Sequence, residues 1–362
     1  GKLIATLSKA DAEELGVSSG SRIQIKSRGQ QLTAVVNVVT RTVQHGIIGV
    51  FDEVRDRLQV SDGDFVEVEP AKFPESLYYI RNKLKGKRLV YEEIFEIIQD
   101  VVHGNLSEIE IASFVTALHA QGMDLDEAYN LILAMVATGK QLMLEKDVIV
   151  DKHSIGGIPG DKTTLILVPI VAAAGLTIPK TSSRAITSAA GTADKAEALM
   201  PVDLDIDEMR RVVNATNGCI AWGGALHLAP ADDIFVSIEY PLSIDPLMVP
   251  SILSKKKAVG ANYLVLDMPT GRGSKIKTIG DAELLAKDFI ELGKRLKIKI
   301  ECAITFGEQP LGNTIGPNLE AKEALEILLG RNIPDVVDKA TSLAGVLFEM
   351  VGNKIEILPS KS

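Results

Sequence analysis

Aromatic side chains and cysteines are scarce in this 362-residue sequence: aromatic residues make up 4% of it, and Cys219 and Cys302 are the only cysteines. So few aromatic rings disfavour a base-stacking platform of the kind that binds single-stranded nucleic acid. Both cysteines lie in apolar, strand-like runs, which indicates buried, reduced thiols. The remaining composition is ordinary, with 46% hydrophobic and 24% charged residues, and the length allows two or three domains.

Metal-ligand motifs, membrane spans and positive net charge are also lacking. The five histidines show no metal-ligand spacing, so no metal site is predicted. The longest uncharged apolar run, Leu165 to Ile178, has about 14 residues, which is too short to span a bilayer, and no signal peptide is recognisable. The net charge of -9 argues against a general nucleic-acid binder. These absences favour a cytoplasmic enzyme with neither membrane nor nucleic acid as a partner.

An internal repeat occupies residues 1–72. Residues 15–25 match residues 58–68 at an offset of 43, and each copy reads as a short helix, a Ser/Asp-Gly turn and an alternating strand. This duplication predicts a small β-barrel made from two interleaved halves, similar to the double-psi barrels that precede some ATPases and enzymes. Because the repeat contains no cluster of catalytic residue types, we expect it to serve assembly or support.

Beyond the repeat, the hydrophobic pattern changes twice. A helical period predicts a helical domain over residues 75–145, joined by part of about 235–260. Residues 146–345 alternate strands with helices, which predicts an α/β domain with a mixed, mostly parallel sheet flanked by helices. Ligands bind such sheets at the carboxyl ends of the strands. The strand candidates are Val148–Val150, Leu176–Ile178, Cys219–Trp222, Leu264–Leu266 and Ile298–Ile304.

The first of these strands runs into a loop of glycines, hydroxyl groups and cations. Lys152 and Ser154 precede Gly156 and Gly157, and the segment 160–163 supplies a further lysine and threonine. Free backbone N–H groups, short hydroxyl donors and positive charge are what phosphate oxygens require. The spacing is not that of a Walker A motif, and a tight turn before a capped helix is the alternative interpretation.

The loop after the second strand is richer still in hydroxyl groups. Six hydroxyl residues accompany Lys180 and Arg184 within residues 180–194. Some of them cap the following helix, whereas Arg184 is a natural bidentate partner for a phosphate. A third loop, residues 270–275, also follows a strand and combines glycines with cations. Together the three loops predict a ligand that carries more than one phosphate group.

Long motifs in this sequence resemble the thymidine/pyrimidine nucleoside phosphorylase family. Residues 152–157 together with Gly160-Asp161-Lys162 resemble its phosphate-site signature, and residues 251–256 resemble its base-side helix. The inserted Pro159 and the strings 183–194 and 243–246 are similar to the archaeal AMP phosphorylase branch. The resemblance covers nearly the whole chain, including the duplicated N-terminal region.

The resemblance implies phosphorolysis of AMP to free base and ribose 1,5-bisphosphate, with CMP and UMP as further substrates. Inorganic phosphate is then the co-substrate, and no cofactor is expected. Asp245 matches the family's proton donor. Its AMP-binding positions are matched by Gly157, Ser183, Arg184, Ala185, Ile186, Thr187, Ser188, Thr192, Ser251 and Lys275. Its inorganic-phosphate positions are matched by Lys152, Ser154, Thr163, Ser182 and Thr192.

One residue departs from the pattern of the nucleoside phosphorylases. Ser243 stands where they carry a base-pocket arginine, and loss of that donor fork favours a nucleotide over a nucleoside. The 5′-phosphate is then held by the loop containing Arg184 or by Lys275, and the residues leave this choice open. Two rival functions also stay open: a thymidine/pyrimidine nucleoside phosphorylase, and a non-catalytic sugar-phosphate-binding or assembly module.

The family pattern also continues past the end of this sequence. Residues 346–362 match the start of a C-terminal domain that is otherwise absent. In this family that domain helps assembly, so we expect a homodimer for this chain and a larger assembly for the full-length protein.

Overall fold

The computed structural model describes residues 3–185 and 190–352. It divides into two compact units, Gly1–Ala117 and Leu118–Ser362. Within the described ranges, none of the helices has the length and hydropathy needed to cross a membrane.

The sheet of the first unit contains the sequence repeat. Its strands run in the order β4-β1-β3-β2-β5, with β1 and β3 parallel and the other pairs antiparallel. The run β1-α1-β2 recurs as β4-α2-β5, and the two runs contain the two copies of the sequence repeat. No pairing among the described residues joins β4 to β5, so closure into a double-psi barrel stays a prediction. The elements are β1 (Ile4–Ser8), α1 (Lys9–Glu14), β2 (Arg22–Ser27), β3 (Gln30–Val39), β4 (Ile48–Val50), α2 (Asp52–Leu58) and β5 (Glu67–Pro70).

Three helices follow this sheet: α3 (Ser76–Leu84), α4 (Tyr91–His103) and α5 (Glu108–Gln121). Gly104 ends α4 in the left-handed conformation, with φ 74°. Ser107 then begins α5, because its N–H donates to Glu110 Oε2 at 2.7 Å and caps the first turn. A glycine stop and a capped serine therefore separate α4 from α5.

The second unit alternates helices and strands, as predicted. Every pairing among its described strands is parallel, in the orders β10-β9-β6 and β7-β8. The elements are α6 (Leu125–Ala137), β6 (Val150–Ser154), α7 (Thr163–Ala173), β7 (Ile178–Ser182), α8 (Thr192–Glu197), α9 (Ile206–Thr216), β8 (Gly218–Trp222), α10 (Gly223–Leu226), α11 (Pro230–Leu242), α12 (Met248–Ala258), β9 (Tyr263–Thr270), α13 (Ile279–Leu296), β10 (Lys299–Phe306), α14 (Pro317–Leu328) and α15 (Pro334–Val351).

The two parallel sheets meet at a bridge between Ile149 and Thr177. The N–H of Ile178 donates to Asn217 O at 2.8 Å, on the β8 side. The nitrogen of the next residue, Pro179, therefore faces β6, and proline has no N–H to continue a ladder there. No ladder joins β6 to β7 beyond this point in the described residues, and residues at both strand ends line a pocket.

Helices cover both faces of the larger sheet. Along β9, Leu264, Leu266 and Met268 face α6, α12 and α13, whereas Val265 packs with α7 and α15. This alternation is the period of two that a strand imposes on its side chains. Burial of each such apolar side chain contributes about 2 kcal/mol. On the same side as Val265, Asp267 pairs with Lys339 of α15.

Strands β6 and β7 lie further along the chain than the apolar runs predicted. The predicted strands Val148–Val150 and Leu176–Ile178 give way to strands that end at Ser154 and Ser182. Parallel pairing with β9 and β8 continues through these polar residues, because neighbouring strands satisfy the backbone whatever the side chain. The polar side chains therefore project from rigid strand ends and not from loops.

Candidate functional site

A pocket of about 990 Å³ opens at the carboxyl ends of β6, β7 and β8, and α11, α12 and the loop after β9 complete its wall. Among the residues that the structure describes, seven cationic side chains and four carboxylates line it, so the pocket is suited to an anion. The charged residues of the lining are Lys152, Asp161, Lys180, Arg184, Lys195, Asp233, Glu239, Asp245, Lys255, Lys256 and Lys275.

Strand β6 brings Lys152 and Ser154 to the pocket. Ser154 Oγ donates to Asp267 Oδ2 at 2.8 Å, and Lys152 Nζ lies 3.8 Å from the same oxygen. Asp267 is fully buried and also accepts from Thr305 Oγ1, at 2.6 Å, and pairs with Lys339, at 2.9 Å. One buried carboxylate thus orients two of the five side chains that the sequence assigns to inorganic phosphate.

The glycine pair after β6 brings the loop after β9 close to the pocket. Gly156 and Gly157 both have positive φ, 88° and 98°. A Cβ on Gly157 would lie 2.7 Å from Lys275 N and 3.0 Å from Ser274 Cα, whereas a Cβ on Gly156 would meet nothing within 4 Å. The absence of a side chain at Gly157 therefore allows Lys275 to reach the pocket.

Two further lysines share the carboxylate of Asp151. Lys256 Nζ lies 2.7 Å from Asp151 Oδ2, and Lys180 Nζ lies 4.0 Å from Oδ1. Burial, reinforced by Lys256, holds the pKa of the Lys180 amine well below its usual range. Burial and the neighbouring lysines likewise lower the pKa of His153, so its imidazole is neutral at pH 7. An anion bound here would supply the negative charge that this cluster lacks.

Thr163 and Thr164 lie on different faces of the first turn of α7. Thr163, predicted to bind phosphate, is fully buried, and its Oγ1 has no hydrogen-bond partner among the described residues. Thr164 lines the pocket instead, and Lys152 Nζ donates to its Oγ1 at 3.5 Å. Lys162 is also turned away, into a buried ion pair with Glu323 at 2.6 Å. Successive helical residues point about 100° apart, which separates these neighbours.

The second hydroxyl-rich segment reaches the pocket from the end of β7. Ser182 and Ser183 line it, as does Thr192 at the first position of α8. The predicted AMP-binding residues Ile186, Thr187 and Ser188 lie outside the described residues.

Gly191 packs closely against Arg184 and Ala185, near the beginning of this segment. A Cβ at Gly191 would collide with the carbonyl carbon of Arg184 and lie 2.7 Å from Ala185 N. The N–H groups of Ala185 and Gly191 both donate to Asp194 Oδ2, at 2.7 and 2.8 Å. One carboxylate of α8 therefore fixes both ends of the segment.

The guanidinium of Arg184 is already bound by acidic side chains. Glu197 accepts two hydrogen bonds from it, at 2.7 and 2.9 Å, and Asp194 and Asp203 add contacts of 3.3 and 3.4 Å. The same group stacks over Trp222, 4.8 Å from the ring centroid. To hold a phosphate in a bidentate manner through the same Nη1/Nη2 edge, Arg184 must leave Glu197.

On the opposite wall, Asp245 pairs with Lys275: Nζ lies 3.1 Å from Oδ2. Ser251 and Lys255, one turn apart on α12, both contact Asp232 Oδ2, at 2.9 and 2.6 Å. The pocket thus brings together Asp245, Lys275 and Ser251, which the sequence assigned to proton donation and AMP binding.

Glu239 is a lining residue that sequence reasoning missed. Its side chain is only 6% exposed, and Oε1 accepts a hydrogen bond from the Leu247 N–H at 3.2 Å. Burial, followed by the charge of Asp245, raises the pKa of Glu239 to about 7. One signal was available, because Glu239 is the only charged residue in the apolar run 234–242.

Two family models match the chain. The helical bundle domain of the glycosyl transferase family matches residues 77–139, and the a/b domain of that family matches residues 146–354. The AMP phosphorylase of Thermofilum pendens is 51% identical over 346 residues, which cover 96% of this chain and 68% of that protein. This chain belongs to the AMP phosphorylase family. The Thermococcus sibiricus member is 50% identical over 97% of this chain and 70% of its own length.

Solved structures share the fold of this AMP phosphorylase family member. An anthranilate phosphoribosyltransferase from Thermus thermophilus matches with a TM-score of 0.62 and 19% identity, over 77% of this chain and 90% of that one. The Saccharomyces cerevisiae enzyme, in complex with PRPP and Mg, gives 0.58 and 16%, over 75% and 87%. At such identities the likeness concerns the fold alone. The predicted combination of a helical domain with an α/β domain is confirmed.

Proposed function

We propose that this chain catalyses the phosphorolysis of AMP, with CMP and UMP as further substrates. Inorganic phosphate replaces the base at C1′, and the products are free base and ribose 1,5-bisphosphate. The identity of 51% and 50% to AMP phosphorylases over nearly the whole chain supports the reaction. Within the pocket, the proposal rests on the presence of cations at both ends. One group lies around Lys152, and at the other end Lys275 lies beside Asp245.

Inorganic phosphate is proposed to bind at the ends of β6 and β7. Lys152 and Ser154 approach it from one strand, Ser182 and Thr192 from the other side, and the lysines around Asp151 supply further positive charge. We assign the helical hydroxyl of this site to Thr164, because Thr163 is buried and does not line the pocket.

AMP is proposed to bind between that phosphate and α12. Its base lies towards Ser251 and Asp245, and its 5′-phosphate is held by Lys275, with Gly157 and residues 183–185 beside it. We choose Lys275 over Arg184 because the latter already donates two hydrogen bonds to Glu197. A phosphate that binds Arg184 must displace the bidentate carboxylate of Glu197, whereas one that binds the partly exposed Lys275 displaces a single contact to Asp245. The first displacement costs more free energy of binding.

The chemistry follows from the charges that develop as the C–N bond breaks. Positive charge grows on the ribose, where the attacking phosphate stabilises it, and negative charge grows on the leaving base. Asp245 neutralises the base by protonating it, a contribution typically of roughly 10²–10⁴-fold in rate. The reaction needs no cofactor beyond inorganic phosphate.

The test is the release of adenine from AMP, followed by chromatography with and without inorganic phosphate. We expect phosphate-dependent formation of adenine and ribose 1,5-bisphosphate in equal amounts, with slower turnover of adenosine and thymidine. Faster turnover of thymidine than of AMP would favour a nucleoside phosphorylase, and no turnover of any substrate would leave a binding or assembly module. The homodimer stays a prediction.

The holder of the 5′-phosphate is tested with Lys275→Gln and Arg184→Gln. We expect the lysine variant to raise KM for AMP at least tenfold more than the arginine variant. Neither variant removes a contact to the 5′ position of adenosine, so KM for adenosine serves as the control. The reverse order for AMP would assign the 5′-phosphate to Arg184.

A further inference from the structure

We propose that Glu239 stores the proton destined for the leaving base, and that a bound 5′-phosphate triggers its transfer by drawing Lys275 away from Asp245. This inference rests on the proposed phosphorolysis of AMP. It adds a residue to that reaction and gives the substrate's own phosphate a part in preparing the acid.

In the resting pocket, the carboxylate of Asp245 is paired with a cation. The Lys275 ammonium lies 3.1 Å from the Asp245 carboxylate. A neighbouring cation favours the charged form of a carboxyl group. The proton for the base must therefore come from another group, or Asp245 must first lose this cation.

Glu239 is the lining carboxyl group best placed to supply that proton. It lies on α11, six residues before Asp245, and both side chains line the same pocket. No lysine or arginine within the described residues forms an ion pair with Glu239, and its one hydrogen bond comes from the Leu247 N–H. Asp161 and Asp233, which also line the pocket, have Lys152 and Lys255 as cationic neighbours, whereas the cation that acts on Glu239 is Lys275.

The charged groups that act on Glu239 favour its protonated form. Asp245 and Asp232 disfavour its negative charge, and Lys275 opposes them only in part. Burial adds to the effect, and together these raise the pKa of Glu239 to about 7. Glu239 therefore keeps its proton to a higher pH than an ordinary glutamate does.

Binding of AMP changes the balance between the two carboxyl groups. A 5′-phosphate carries up to two negative charges and takes Lys275 as its partner, which leaves Asp245 next to Glu239 without its cation. Two neighbouring carboxyl groups hold a proton between them, because the negative charge of one disfavours ionisation of the other. The proton then passes from Glu239 to Asp245 and from Asp245 to the nitrogen of the base.

Protons balance over the cycle. Hydrogenphosphate loses its proton as its oxygen forms the bond to C1′ and the C–N bond breaks, while the base gains one proton. Glu239 regains a proton from solvent after the base leaves, and solvent accepts the one from phosphate. This mechanism selects nucleotides over nucleosides, because a nucleoside has no phosphate group that draws Lys275 away from Asp245.

The experiment compares Glu239→Gln with Glu283→Gln, an exposed position on α13 that serves as the matched control. Glutamine keeps the acceptor for the Leu247 N–H but cannot give up a proton. We expect E239Q to lower kcat for AMP at least tenfold with KM changed less than twofold. We also expect kcat/KM for AMP of the unmodified chain to fall as the pH rises through about 7, because kcat/KM reports ionisations of the free enzyme. In E239Q that fall moves to lower pH by about one unit or more. A profile in E239Q that keeps its position would overturn the storage role.

The trigger is tested by the same variants with adenosine. We expect E239Q to lower kcat/KM for AMP about tenfold but that for adenosine less than twofold, because adenosine never releases Lys275. An equal loss for both substrates would overturn the link to the 5′-phosphate and leave Glu239 as a general structural support. Failure of the unmodified chain to release adenine from AMP would instead refute the proposed function.

Discussion

Replacing Gly157 by alanine tests whether the close approach of two loops builds the AMP site. Gly156 offers a control, since both glycines have positive φ but only Gly157 faces another backbone. Alanine at either position incurs the left-handed penalty of about 1–2 kcal/mol. This penalty is common to both variants, so it should not by itself separate them in denaturant unfolding.

Only the Gly157 variant should also displace Lys275. Its new Cβ would lie 2.7 Å from Lys275 N, against 3.4 Å for an ordinary contact, so the loop must move by about 0.7 Å. A misplacement of about 1 Å reduces rates by about 10²-fold. We therefore expect Gly157→Ala to lower kcat/KM for AMP by roughly 10- to 100-fold. Gly156→Ala should stay within about threefold of the unmodified chain.

The assay is phosphate-dependent adenine release at several AMP concentrations, with unfolding midpoints measured on the same preparations. Equal kcat/KM in the two alanine variants, at equal stability, would refute the argument that Gly157 positions Lys275. A loss of activity in Gly157→Ala that follows its stability alone would refute it as well.

Three further predictions concern the acid, the phosphate site and the core. Asp245→Asn should reduce kcat by roughly 10²–10⁴-fold with little change in AMP affinity, and near-normal turnover would remove it as the acid. Phosphate favours the charged form of Lys180, whose pKa lies well below its usual range. Binding of phosphate should therefore take up a proton, and its affinity should fall as the pH rises. Calorimetry in two buffers measures the proton uptake, and Lys180→Gln should abolish it. Lys162→Met leaves Glu323 buried without its cation and should destabilise the fold by about 3–5 kcal/mol in urea unfolding, whereas Lys162→Met with Glu323→Leu should recover most of that loss.

The architecture was largely predictable because it depends on periodic patterns. The repeat at an offset of 43 and the alternation of helices and strands beyond residue 146 give direct signals of local structure. The ends of β6 and β7 were not predictable from apolar runs, because pairing with neighbouring strands extends them through Lys152 and Ser182.

The site was predictable to the level of segments, but not of individual contacts. Sequence reasoning selected the loops that line the pocket, yet it did not reveal that Glu197 engages Arg184. It also assigned Thr163 where the helical phase presents Thr164. Such partners depend on where α8 and α7 lie in space, which no spacing along the chain records. The role of Glu239 likewise depends on burial next to Asp245, from a separate loop.

The pairing of β6 with β7 ends at Pro179, and this feature connects the stability of the protein to the binding of its substrate phosphate. Beyond the bridge at Ile149 and Thr177, no ladder joins β6 to β7 in the described ranges, so each strand presents an internal edge to the pocket. Elsewhere an open edge invites another chain, but here residues of both edges line the pocket proposed to bind inorganic phosphate. A ligand that binds the folded state alone at about one hundred times its Kd adds about 2.7 kcal/mol to the free energy of unfolding. The cellular phosphate concentration would then help determine how much of this protein is folded, as well as how fast it works.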